Sequence, residues 1–254
     1  LCMDIEKLKK IKNLDAVIYV PLNGRTTNGI NIETWCRKNS IKVIEDSAHA
    51  LGSRYENNKM CGSLGDLSVF SFTPHKIITM GQGGMVLTDN KRMYEKLFKL
   101  KTFNRMKNKS DWHDGFGLNF KITDLQASIG LSQFEQLNSF ISMKKKNYLK
   151  LKEMINNHQV KVNQFEDYET PWFYDVKFKT KSIRNRFVSY MSENNIETRL
   201  HYPCLSQQKY LKDIKSTNTQ YSELESEKLV WLPSSTNLKD SDIKLIAKSI
   251  NNFK

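Results

Sequence analysis

The chain has 254 residues, 39% hydrophobic and 11% aromatic, enough to bury a core as one large domain or two unequal ones, which excludes a disordered polymer. Lys and Arg number 40 against 27 acidic residues, a formal net charge of +13 that on its own favours an anionic partner such as nucleic acid. The charges are dispersed, however: the tight run Lys144-Lys145-Lys146 sits in a predicted helix without alternating aromatics, reads as a solvated helix face, and leaves no expectation of nucleic-acid binding.

Residues 15–20, β-branched and apolar before Pro21, predict a buried strand, and residues 41–45 predict a second. Between them, 30–38 has helical spacing, so the three form a crossover unit of a parallel sheet. Residues 67–72 and 85–88 add short strands, with Gly81, Gly83 and Gly84 as the turn before the second. Asn90 is placed to cap a helix reaching about Lys101, with Met93, Leu97 and Leu100 on one face. A long polar and aromatic loop, 104–119, is a functional or subunit-contacting excursion by its length. Thr123-Asp124-Leu125-Gln126 is a capping box opening one long helix that carries Ala127, Leu131, Phe134, Leu137 and Ile141. From about Asn157 the texture is that of a smaller α/β unit: a strand over 172–178, a helix over 182–193, an extended stretch over 196–200, and a closing helix over 241–253 capped by Asp240.

No apolar run approaches the roughly 20 residues that cross a bilayer, and residues 1–6 lack the pattern of a signal peptide, so no membrane association is expected and the cytoplasm is the expected compartment. Cys2, Cys36, Cys61 and Cys204 are far apart and show no metal-site spacing, which predicts reduced, packed thiols and no metal. The chain starts on Leu1 and enters at once what reads as internal structure, which suggests a fragment.

Two residues carry the chemistry. Asp46 lies just past the carboxyl end of its predicted strand, where ligand crevices of open parallel sheets form. A carboxylate there can hold a pyridinium nitrogen, although on its own Asp46 fits equally as a cap or a partner for a lysine. Lys76 follows the 67–72 strand, so it projects from a neighbouring strand end. An isolated lysine is ordinarily a solvated surface residue. Ser71, able to donate a hydroxyl to a phosphate, and the glycines at 81, 83 and 84 set this one apart. A lysine able to form a Schiff base with a carboxylate nearby is the pairing that pyridoxal phosphate chemistry needs.

Several ordered motifs carry a family resemblance: Val43-Ile44-Glu45-Asp46-Ser47-Ala48-His49-Ala50-Leu51-Gly52, Gly62-Ser63-Leu64-Gly65-Asp66, Phe70-Ser71-Phe72 with Lys76, and Gly81-Gln82-Gly83-Gly84. They continue through Trp112-His113-Asp114, 119–127, Ile196-Glu197-Thr198-Arg199 with His201-Tyr202-Pro203, and Leu232-Pro233-Ser234. Together the chain resembles the DegT/DnrJ/EryC1/StrS sugar aminotransferases over almost its whole length.

That resemblance implies an α/β protein of pyridoxal phosphate fold type I, with a mainly parallel, helix-flanked large domain over 1–135 and a linking helix plus smaller carboxyl-terminal α/β domain over 136–254. It implies transfer of an amino group, from L-glutamate, to a nucleotide-linked 4-keto-6-deoxy sugar, through pyridoxal 5'-phosphate and its pyridoxamine form. Lys76 is then the Schiff-base lysine and proton carrier, Asp46 the pyridinium partner, His49 the neighbour of the ring hydroxyl, and Ser71 a phosphate ligand. Asn119 reaches the cofactor of a neighbouring subunit, which implies a homodimer with shared active sites. His113, Lys121 and His201 are assigned to the sugar nucleotide, with an ordinary loop histidine the alternative for both histidines.

Two departures stand out. Gln82 occupies a position where the family often has Glu. The family's upstream Gly/Ser/Thr turn and ring-stacking aromatic are not visible before Asp15, which suggests that on the order of a hundred residues precede this stretch in the family. A catalytically silent remnant acting as an interaction protein, or a dehydratase in which the lysine is replaced, commonly by His, are the rival readings. Lys76, retained beside His75, favours amino transfer.

Overall fold

A computed structural model describes residues 2–214 and 216–254, so Leu1, where the sequence suggests an internal start, lies outside the described residues. The chain divides into two compact units: one runs through Ile141 and takes back Glu166–Thr170, the other comprises Ser142–Phe165 and Pro171–Lys254.

In the first unit, Asp4 accepts the N–H groups of Glu6 and Lys7 and opens the short helix α1 (Ile5–Leu8). Strand β1 (Ala16–Tyr19), helix α2 (Gly29–Lys38) and strand β2 (Lys42–Asp46) form the expected crossover, the strands parallel with Val17 opposite Val43. Strand β3 (Leu67–Ser71) adds in parallel and β4 (Gly84–Leu87) antiparallel, giving the order β1-β2-β3-β4.

Strand alternation makes the two sheet faces unlike. Val17, Tyr19 and Val43 are buried with Ile32 and Cys36 of α2 in the core of this unit, each such side chain contributing about 1.5–3 kcal/mol on full burial. On the other face Ile18 and Val86 remain 58% and 48% exposed.

Helix α3 (Lys91–Lys101) has the predicted cap, Asn90 Oδ1 accepting the Met93 N–H at 3.0 Å. The expected capping box at Thr123 and Gln126 is also present. The single long helix expected beyond it is two, α4 (Asp124–Glu135) and α5 (Leu137–Met154), because Gln136 turns its N–H back to the Gln133 and Phe134 carbonyls. Neither α3 nor α4 buries a residue, and Leu125, Leu131 and Phe134 stay 79%, 66% and 62% exposed. The periodicity was a sound guide to helix, but its apolar stripe is not covered by described residues.

The second unit holds β5 (Lys161–Val162), β6 (Tyr174–Lys177), α6 (Lys181–Glu193), β7 (Arg199–Leu200), α7 (Gln220–Ser226), β8 (Leu229–Leu232) and α8 (Asp240–Asn252). Its sheet is antiparallel in the order β5-β6-β8-β7. Val176, Phe187, Met191, Val230 and Ile250 are completely buried between sheet and helices.

Three expectations are corrected. The extended stretch 196–200 pairs only at Arg199 and Leu200. Asp240 is the first residue of α8 and not its cap; Asp242 Oδ2 accepts the Lys239 N–H at 2.8 Å, while Asp240 pairs with Lys150 at 2.6 Å. Lys144 does not belong to a solvated face: α5 turns Lys144, Asn147, Tyr148 and Leu151 inward at helical spacing, and the Lys144 ammonium donates to the Ser234 carbonyl at 2.6 Å. Among the described residues, no helix is long and apolar enough to cross a membrane.

Candidate active site

β2 ends on Asp46 and β3 on Ser71. Asp46 lies opposite Val69 in the parallel ladder, and Ser71 follows Val69 by two residues, so both side chains leave the same face at the carboxyl ends of adjacent strands. Asp46 is half-buried; its Oδ1 accepts the Ala48 N–H at 3.1 Å, and its Oδ2 has no hydrogen-bond partner among the described residues. The Ala50 N–H donates to the Ser47 carbonyl at 2.9 Å, closing the turn that carries His49, which is also half-buried.

Beyond Ser71 the chain makes a loop tied back to its own start. Phe72 donates its N–H to Gly83 at 2.9 Å, and the Met80 N–H and Thr79 hydroxyl donate to the Phe72 carbonyl at 3.0 and 3.1 Å. Within it the Lys76 N–H donates to the Thr73 carbonyl at 3.0 Å, and the Lys76 side chain is half-buried. Ser71 Oγ and Thr73 Oγ1 lie 3.4 Å apart, so two hydroxyls stand at the base of this loop. Gly81 closes it at φ +77°, with open space where a Cβ would stand.

The opposite face of β2 carries a residue that sequence reasoning missed. Glu45 is completely buried; Oε1 accepts from the Ser47 and Tyr55 hydroxyls, each at 2.7 Å, and from the Gly62 N–H at 2.6 Å. Oε2 accepts from the Leu64 N–H at 2.8 Å and the Ser68 hydroxyl at 3.2 Å. This carboxylate ties the stretch that follows Asp46, from Ser47 to Ser68, back to β2. Burial, and then the neighbouring Cys61 and Glu45, push the Tyr55 hydroxyl well above its usual pKa, so it stays a donor. The signal was available: alternation puts Glu45 on the face of Val43.

The remaining predicted residues lie elsewhere. The excursion folds on itself through bridges between Thr102 and Asn119 and between Arg105 and His113. His113 Nδ1 lies 2.7 Å from the Phe103 carbonyl, and the Lys121 ammonium is 5.6 Å from the Phe103 ring centre; Asn119, His113 and Lys121 are all exposed. His201 belongs to the second unit, just beyond β7, with its ring 5.2 Å from that of Trp231.

A pyridinium ring requires an anionic acceptor not already neutralised, an amine to carry it, and hydroxyls for its phosphate. Asp46 has no ion pair among the described residues, and Ser71, Thr73 and Lys76 supply the rest, so the donor set fits pyridoxal phosphate. The family model described as DegT/DnrJ/EryC1/StrS aminotransferase family matches residues 1–251. The chain belongs to this family. GDP-perosamine synthase of Escherichia coli O157:H7 is 34% identical over 257 residues, covering 98% of this chain and 68% of that protein. Helicobacter pylori PseC, an aminotransferase involved in the biosynthesis of pseudoaminic acid, superposes with a TM-score of 0.91 at 24% identity, covering 98% of this chain and 70% of the other. The PLP-form structure of Spr1654 from Streptococcus pneumoniae superposes at 0.86 with 20% identity, over 99% of this chain and 72% of the other. These likenesses establish the fold as that of the sugar aminotransferases, and the family is dependent on pyridoxal phosphate.

Proposed function

We propose that this DegT/DnrJ/EryC1/StrS protein moves an amino group from L-glutamate to the keto carbon of a GDP-linked 4-keto-6-deoxy hexose, in the cytoplasm, yielding an amino sugar of the perosamine class for a glycan. The observation that carries this reading is the convergence of Asp46 and Ser71 on one face at adjacent strand ends, with Lys76 in the loop that leaves Ser71. The 34% identity to GDP-perosamine synthase supports the choice of nucleotide and sugar.

When bound, pyridoxal phosphate supplies an electron-withdrawing ring that carries the amino group between donor and acceptor. Asp46, through its open Oδ2, keeps the ring nitrogen protonated. Ser71 binds the phosphate, with Thr73 beside it. His49 lies against the ring hydroxyl. The Lys76 amine would anchor the coenzyme and, once displaced, would carry a proton between the substrate carbon and the coenzyme in each half of the exchange. Asn119 serves the site of a second subunit, so the working form is a homodimer, and His113, Lys121 and His201 contact the sugar nucleotide.

The test is product analysis with the full-length protein, L-glutamate and the keto sugar. An amino sugar and 2-oxoglutarate in equal amounts are expected, and Lys76→Ala abolishes both products and the visible absorbance of the bound coenzyme. A deoxygenated sugar without nitrogen would assign a dehydratase. Equal absorbance and turnover in Lys76→Ala would overturn the reading.

A further inference from the structure

Ile77, Ile78 and Met80, in the loop that carries Lys76, are buried apart from the two apolar cores. Met80 is the one whose seat is shaped by what stands opposite it. A Cβ on Gly83 would run into Met80 Sδ and stand 2.6 Å from its Cγ, and a Cβ on Gly130 of α4 would stand 3.2 Å from Met80 Cε and 3.4 Å from its Cβ. At both positions the nearest atoms are those of Met80. The thioether therefore fills a notch between two glycines, one at the far end of the loop and one on a helix whose large apolar residues, Leu125, Ile129, Leu131 and Phe134, stay exposed.

The main chain at Met80 is held as well. Its N–H donates to the Phe72 carbonyl at 3.0 Å, Phe72 donates to the Gly83 carbonyl at 2.9 Å, and the Thr79 hydroxyl accepts the Gly81 N–H at 3.0 Å. Lys76 lies inside this ring, in a stretch that is neither helix nor strand. Such a loop keeps one geometry only where buried side chains hold it, and an unbranched thioether suits a narrow, irregular seat. Gly81 has a positive φ, which accounts for a glycine there, but Gly83 does not. What the missing side chain at Gly83 provides is room for Met80.

We propose that Met80 is a positioning residue for Lys76: seated against Gly83 and Gly130, it fixes the loop and with it the reach of the Lys76 amine toward the coenzyme. The inference rests on the amino-transfer reading for the role of Lys76, while the seat of Met80 stands on geometry alone. An amine that must both anchor the coenzyme and carry a proton loses rate steeply when displaced, because proton transfer needs hydrogen-bond reach.

The visible absorbance of the coenzyme-loaded protein, titrated with pH before any substrate is added, reads the placement of the Lys76 amine without turnover. In Met80→Ala the midpoint of that titration shifts by about half a pH unit or more, and kcat falls about tenfold to a hundredfold with KM nearly unchanged. Met80→Leu, which keeps the volume, restores both. Gly83→Ala drives Met80 from its seat and has the same effects, and Gly83→Ala combined with Met80→Ala is no worse than either change alone, because the added methyl enters space that the thioether has left. Should Met80→Ala fail to fold, judged by circular dichroism, Met80→Leu and Gly83→Ala decide in the same way. Lys76→Ala is the reference. If it abolishes the absorbance while the Met80→Ala and Gly83→Ala proteins keep the parent's midpoint and kcat, or if their effects multiply in the double variant, this inference falls and the amino transfer stands. Absorbance retained in Lys76→Ala would overturn both.

Discussion

The Tyr55 hydroxyl donates to Glu45 Oε1 at 2.7 Å, inside a cage that also draws on Ser47, Gly62, Leu64 and Ser68. The cage lies behind the strand end whose next residue is Asp46. Tyr55→Phe removes one donor and leaves the ring in place, so it destabilises the protein by about 1–3 kcal/mol. Glu45→Gln does more harm, because the amide nitrogen meets N–H and O–H donors that need an acceptor. Urea unfolding ranks the two. A Glu45→Gln variant as stable as the parent would refute the cage as a stabilising element.

Asp46 differs from Glu45 in being half-buried with one oxygen unengaged. Asp46→Asn keeps the shape and removes the charge. It lowers kcat by about 10²–10³-fold, the scale of losing one preorganised electrostatic group, while the unfolding midpoint stays close to that of the parent. Steady-state kinetics beside a denaturant curve separates these effects. Parallel loss of stability and activity would make Asp46 a structural residue instead.

The sequence carried the strand ends well. The crossover, the Asn90 cap, the Thr123 capping box and the loop after Ser71 are local events, fixed by β-branched runs, cap residues and glycines, and they appear where those signals stand. What it concealed depends on which side of an element faces inward. Lys144 looked solvated because its neighbours are lysines, yet helical phase with Tyr148 and Leu151 buries it. Glu45 received no reading of its own: alternation puts it on the buried face of Val43, but its partners come from as far as Ser68, which no local pattern announces. β8 also went unread: Leu229–Leu232 is apolar at every position and buried on both faces, so it lacks the alternation that marks a half-buried strand.

Lys144 predicts a pH dependence. Burial lowers its pKa to about 7 in the fold, against ~10.4 in an unfolded chain. Between those values the unfolded state binds the extra proton, so stability rises as pH increases from about 7 toward 10 and is flat with respect to this group outside that window. Lys144→Met removes the titration and keeps the packing volume, and the gap in unfolding free energy between variant and parent should narrow by a few kcal/mol across the window. A gap independent of pH would show that Lys144 is not buried as a titrating amine.

Gly24 and Gly81 both have positive φ, +89° and +77°, but in different surroundings. A Cβ on Gly24 would run into the Thr170 carbonyl oxygen, in a packed corner where Ser53 Oγ donates to Gly24 O and accepts the Thr170 N–H, both at 2.8 Å. On Gly81 it would meet nothing within 4 Å. Gly81→Ala therefore incurs only the backbone term, about 1–2 kcal/mol. Gly24→Ala adds a clash with main chain that cannot rotate away, and destabilises by about 3 kcal/mol or more as the corner is forced apart. Thermal melts of the two variants supply the comparison, and equal shifts would mean that Thr170 moves aside freely and that the corner is not rigid.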